Sequence, residues 1–138
     1  MKKYLIVLAP LAFLISSCST YYMTATSLKE QLQKIDPDNI EDRYDFRLGL
    51  AGVALKGGKN FYNGIDSIKC TDKNGKEKTI PVRTNTGIRL TEKSGKRQIL
   101  YFDSLFLRDT LIYGSKSHFI TLPVDPINVN NIEKIEVQ

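Results

Sequence analysis

Tryptophan is absent from the 138-residue chain and histidine occurs once, at position 118. A zinc site draws on several nitrogen or sulfur ligands, and beyond His118 the folded part of the sequence offers only Cys70, 48 positions away. A serine nucleophile that would work with His118 has no GxSxG setting. Gly57 and Gly58 are not followed by the GK[ST] of a phosphate loop or by a helical pattern. The acidic run Asp36-Pro37-Asp38-Asn39-Ile40-Glu41-Asp42 fails as a calcium loop, because Glu41 stands where glycine is needed and Arg47 where the bidentate glutamate is needed. The lack of tryptophan and of clustered aromatics weighs against a sugar-stacking cleft. One apolar run reaches any length, Tyr4 to Ile15, and Pro10 interrupts it. It falls short of the ~20 residues that span a bilayer, which makes a retained transmembrane helix a poor alternative there.

What is present is concentrated first at the N-terminus. Lys2 and Lys3 precede the apolar run, and the small residues Ser16 and Ser17 lead to Cys18, the layout of a secretory signal. The quartet Ile15-Ser16-Ser17-Cys18 resembles the bacterial lipobox. The resemblance implies a diacylglycerol on the Cys18 thiol, cleavage between Ser17 and Cys18, and acylation of the new amine. Each buried CH₂ adds about 0.8 kcal/mol of membrane affinity, so two or three chains make a lasting tether. The expected division is a signal over 1–17, a lipidated N-terminus and spacer over 18–27, and one small domain over 28–138. With Cys18 lipidated, Cys70 has no disulfide partner. It falls in the apolar phase of Ile68 and Cys70 and reads as a small buried hydrophobe. No cofactor is expected beyond the covalent lipid.

Charge is unevenly distributed. The net charge is +5, Lys2 and Lys3 included, and residues 51–100 hold eleven basic and four acidic side chains. This stretch also contains an internal similarity: 68–80 aligns without gaps on 88–100, with Ile68/Ile88, Thr71/Thr91, Lys73/Lys93, Gly75/Gly95 and Lys76/Lys96 identical. Asn74-Gly75 signals a two-residue type I′ hairpin, and Ser94-Gly95 is a weaker version. Two successive hairpins are expected, forming a four-strand meander. Duplication would produce the similarity, and so would the shared demands of a basic-tipped turn. Lys73, Lys76 and Lys78 surround one tip and Lys93, Lys96 and Arg97 the other. If both point the same way they form a cationic patch for anionic lipid. Lysines at turn tips also serve simply to block edge-to-edge pairing.

Elsewhere, Ser27 and Glu30 fit a capping box ahead of a short helix carrying the stripe Leu28, Leu32, Ile35, which Pro37 ends. Phe46, Leu48 and Leu50 alternate as in a strand that Ala51 to Leu55 continues, and a turn is expected over 56–60. Residues 99–113 are apolar on both faces, as in central strands, with breaks at Asp103-Ser104 and Arg108-Asp109. His118 to Leu122 and Ile127 to Val129 read as further short strands. A single helical turn near Asn130 then runs into a last strand. The predicted fold is mainly β, a small antiparallel meander or barrel of SH3-like or Sm-like layout with one short N-terminal helix.

Function is less legible. Asp103 and Asp109 form a nominal carboxylate pair, but aspartates at strand breaks are ordinary turn formers. The leading expectation is a membrane-tethered envelope protein with a non-enzymatic binding or structural role, and the alternative is a hydrolase of envelope glycan or lipid. Its partners would be the membrane through the anchor and an anionic lipid or envelope protein, not nucleic acid. The Cys-Ser-Thr-Tyr-Tyr start and the Ile-Glu-Lys-Ile-Glu-Val-Gln ending resemble short lipoproteins of Bacteroides-type bacteria. Ser19 after the cysteine resembles the enterobacterial signal for the outer membrane, and no acidic surface-export run follows Cys18. The implied address is the periplasmic face of that membrane.

Overall fold

A computed structural model describes residues 19–36, 41–44, 47–50, 53–56, 60–118 and 124–138, with 41–61 described by backbone alone. The first described element follows Cys18 almost at once. Tyr21–Met23 form strand β1, where a spacer was expected over 18–27. Aromatic side chains suit a pleated, half-buried surface, and Tyr21 and Met23 both pack on the core. Helix α1, Ala25–Leu32, then starts at Thr24, whose side chain accepts from the Ser27 N–H at 3.1 Å. Thr24 thus takes the capping role assigned to Ser27. The Ser27 hydroxyl instead accepts from Gln31 Nε2 at 3.1 Å. Leu28 and Leu32 are fully buried and Ile35 partly so, so the predicted stripe faces the core.

Strands β2 (Glu41–Tyr44), β3 (Arg47–Leu50), β4 (Val53–Lys56) and β5 (Asn60–Tyr62) form two small ladders, β2 with β5 and β3 with β4. The pairing Leu50↔Val53 reverses the chain where one continuous strand was expected. Glu41 and Asp42 of the acidic run belong to β2, paired with Tyr62 and Phe61. Residues 57–59 of the turn expected over 56–60, and 119–122 of the strand expected from His118 to Leu122, lie outside the described residues. Next come β6 (Ser67–Thr71), β7 (Glu77–Pro81), β8 (Gly87–Glu92) and β9 (Arg97–Tyr101). A 3-10 turn at Phe102–Ser104 is followed by β10 (Phe106–Arg108), β11 (Leu111–Tyr113) and β12 (Ile127–Asn128). The 3-10 turn Val129–Asn131 leads into β13 (Ile132–Val137), as read from the sequence.

The main sheet has the order β7-β6-β1-β13-β8-β9, antiparallel at every pairing given. The protein is therefore mainly β with antiparallel sheets and one helix, but the sheet is open and not closed into a barrel. Both hairpins, β6-β7 and β8-β9, are present. They do not form a four-strand meander, because β1 and β13 pair with each other between them, Tyr22 opposite Glu136. Nothing local in the sequence specifies that insertion. It is driven by burial of Met23, Ile135 and Val137 in the same core as Ile68, Ile88 and Leu90. In order and direction, half a turn about an axis between β1 and β13 exchanges β6 with β8 and β7 with β9. The two similar sequences thus occupy corresponding positions. One further expectation changes: β9 is an edge strand, and Ile99 on its outer face is 54% exposed.

Helix α1 packs against β13 and β10, and the main sheet, α1 and the three-stranded sheet β10-β11-β12 share one hydrophobic core. Leu28, Leu32, Phe102, Leu105, Ile112, Ile127 and Ile135 fill the space between them, each under 2% exposed. The helix replaces part of a strand. Because β1 ends at Met23, the next ladder position on β6 would be empty. There, Gln31 Nε2 donates to the Lys69 carbonyl at 3.0 Å and Gln31 Oε1 accepts from the Lys69 N–H at 2.9 Å. One side-chain amide makes the two hydrogen bonds of a missing β residue.

Candidate functional site

Each hairpin tip is built by backbone hydrogen bonds across a five-residue loop. Asp72 N–H donates to Lys76 O at 2.9 Å and Gly75 N–H to Asp72 O at 3.0 Å. In the second loop, Glu92 N–H donates to Lys96 O at 2.9 Å and Gly95 N–H to Glu92 O at 2.8 Å. Gly75 and Gly95 have φ of +77° and +84°, while Asn74 keeps a negative φ. This is a type I turn closed by a left-handed glycine, not the expected type I′ turn. The extra residue accounts for the difference, since a type I turn matches strand twist once an αL residue follows it. Asp72 also turns its carboxylate into the loop, accepting from Asn74 N–H at 2.8 Å and Lys76 N–H at 3.1 Å. Those backbone hydrogen bonds hold its carboxyl below the usual aspartate range.

Lys73, Lys76, Lys78, Lys93, Lys96 and Arg97 are all exposed, but the structure does not unite them. Strand β6 runs antiparallel to β1, β1 to β13 and β13 to β8. The strands leading into the two loops therefore run in opposite directions, and the loops leave opposite ends of the sheet. The single patch fails for a topological reason that turn chemistry does not encode. Lys96 is further engaged by Asp125, Nζ to Oδ2 3.1 Å.

The first loop has a different neighbour. Thr71, its leading residue, pairs with Tyr22, and the Thr71 hydroxyl donates to the Tyr22 carbonyl at 3.2 Å. Because the strands are antiparallel, the start of β1 lies at the same end of the sheet as the loop 72–76. Cys18 and Ser17, the expected lipid and cleavage positions, lie outside the described residues, as does the whole signal-like segment. On the outer face of the sheet Lys134 Nζ lies 2.9 Å from Glu136 Oε1 and 5.5 Å from the Tyr22 ring centroid. Arg89 Nη1 approaches Glu136 Oε2 at 3.6 Å. The Lys134 hydrogen bond, with both cations, holds the Glu136 carboxyl below its ordinary range.

His118 and Asp103, which sequence separation gave no reason to join, do meet. His118 Nε2 lies 2.9 Å from Asp103 Oδ1, and the imidazole stacks on Tyr101 with centroids 3.9 Å apart. Asp103 is 3% exposed. A carboxylate that orients an imidazole is two-thirds of a triad, but the adjacent hydroxyl has other work. Ser104 Oγ donates to Tyr101 O at 2.7 Å and accepts from Ser115 N–H at 2.8 Å, tying two segments of backbone together. Asp109 does not join them. It sits exposed on the β10-β11 turn with φ of +56°, the turn role expected of it.

Among the described residues, neither Asp103 nor His118 lines any of three grooves open at the surface. The first, about 670 Å³, lies between Tyr22, Met23 and Ser27 on one side and Lys69, Cys70 and Lys78 on the other. Cys70 is 6% exposed and donates to Lys78 O at 3.6 Å, and burial pushes its thiol pKa up, away from the reactive thiolate. The second, about 810 Å³, runs between the end of α1 and Asn63, Gly64 and Ile65. The third, about 530 Å³, includes Gly87, Ile99, Lys116 and Gln138. Among the described residues no group of three or more His, Cys, Asp or Glu side chains could hold a metal ion, and no helix is long and apolar enough to cross a membrane. Compared with protein-family models, with curated proteins and with solved structures, the chain finds no match.

Proposed function

We propose that this protein is an envelope lipoprotein, tethered through lipid on Cys18, with a non-enzymatic binding or structural role at the periplasmic face of the outer membrane. The observation that carries the reading is the Ile15-Ser16-Ser17-Cys18 quartet, separated from β1 by only Ser19 and Thr20. A cleaved and acylated cysteine at that position leaves the whole described sheet C-terminal to the anchor. The exposed basic loops and open sheet edges suit contact with a surface. The test is Cys18→Ala in the native host: lipid labelling should vanish and an uncleaved precursor should accumulate. Labelling that survives the substitution defeats the proposal. Fractionation with protease shaving of intact cells tests the address, which digestion of the domain in unbroken cells would exclude.

The Asp103–His118 pair supports a second reading, hydrolysis of an envelope glycan or lipid. A solvent-reachable nucleophile is what that reading requires. If it holds, a fluorophosphonate or glycan-based covalent probe should label the protein, and His118→Gln should abolish labelling while leaving the urea midpoint within reach of wild type.

A further inference from the structure

We propose that the Asp72–Lys76 loop is a membrane-facing contact, laid on the anionic phospholipid headgroups of the leaflet that holds Cys18, while the Glu92–Lys96 loop faces away from that leaflet. The inference rests on the anchor reading and adds an orientation to it. Tyr21 is the third residue after Cys18, and three residues reach at most about 11 Å. Tyr22 pairs with Thr71 in antiparallel strands, so the start of β1 and the loop that follows Thr71 lie at the same end of the sheet. This end of the sheet is therefore tethered within about 11 Å of the anchor, comparable to the screening length of roughly 8 Å at physiological ionic strength.

The second loop is not. Strand β13, six residues long, separates the two ends of the sheet: Glu136 stands beside Tyr22, and Ile132 stands opposite Glu92. At ~3.4 Å per residue this places Lys93 and Lys96 about 17 Å further out, where a surface potential is largely screened. The charges at the near end favour an anionic surface. Lys73 and Lys76 are exposed, Lys78 follows them on β7, and Lys116 shares a groove with Gly87 and Gln138 at the same end of the sheet. Of the acidic neighbours, Asp72 is turned inward onto loop N–H groups, and Glu77 is exposed. Each lysine near an anionic leaflet is worth roughly a fivefold preference, so Lys73 and Lys76 together favour this orientation about twenty- to thirtyfold.

The test uses the lipidated protein reconstituted in vesicles of phosphatidylglycerol mixed with phosphatidylcholine, and in phosphatidylcholine alone. Lysines are labelled with a water-soluble amine reagent and read by peptide mass. On the anionic vesicles Lys73 and Lys76 should react about tenfold more slowly than on neutral ones, and 1 M salt should remove the protection. Lys93 should react equally in both. Equal protection of the two loops, protection of Lys93 alone, or protection unaffected by lipid charge would each overturn the proposal. The mass of the N-terminal peptide reports acylation in the same experiment. An unacylated Cys18 therefore refutes the anchor, and an acylated one with unprotected lysines refutes the orientation.

Discussion

Gln98 lies on β9 with its side chain among the core residues, 4% exposed, and its Nε2 has no hydrogen-bond partner among the described residues. A buried donor left unsatisfied costs about 1–3 kcal/mol of desolvation, and methionine has nearly the same shape without that donor. Gln98→Met should raise stability by about 1 kcal/mol in urea melts, and a lowered midpoint would count against the unpaired amide. Glu136 supplies a pH dependence. Its carboxyl is lowered from an ordinary value of 4.5 by Lys134 first and then Arg89. A depressed acid contributes stability that is fully present above its unfolded value and is lost as pH falls through the lower folded one. Acid titration of stability should therefore show a loss beginning near pH 4.5 that is reduced in Glu136→Gln. A slope unchanged by the substitution would remove Glu136 from that role.

Among the elements, α1 depends on a contact that has no signature in its own sequence. Gln31 closes the ladder position that β1 vacates, so Gln31→Leu should cost about 1–2 kcal/mol, limited by the solvent access of Lys69. Gln31→Glu, which keeps the acceptor and loses the donor, should fall between, and hydrogen exchange at the Lys69 amide reads the effect locally. The same contrast marks what could be read in advance. Elements that satisfy their own polar groups were legible: the Leu28/Leu32 stripe, the breaks at Asp103 and Asp109, both hairpin loops, and the turn leading into β13. Their residues carry the periodicity or the turn chemistry themselves. What was not legible depended on partners far away in sequence: the place of β1, the separation of the two hairpins, and the meeting of His118 with Asp103. The lysines of the two tips are exposed, Lys78 on the strand that follows the first loop. Their division between opposite ends follows from strand direction, which no local pattern records.

For the whole molecule, the two central strands of the main sheet come from the two ends of the described chain, Met23 pairing with Ile135. Removing β13 by ending the chain after Asn131 should leave two hairpins with no shared ladder, and so no cooperative unfolding transition by near-ultraviolet dichroism. A truncated chain that still melts cooperatively would mean the hairpins are held together by α1 and the smaller sheet instead. This pairing also sets an order of events in time. Synthesis runs from the N-terminus, so β1 emerges first, meets β6 about 50 positions later, and waits about 110 positions for β13 on its other edge. Loop closure of that longer span is slow, and the open edge of β1 in the interval is exposed to pairing with the wrong neighbour. The fold is therefore completed only when its last strand arrives, and until then the nascent chain depends on being held apart from its own kind.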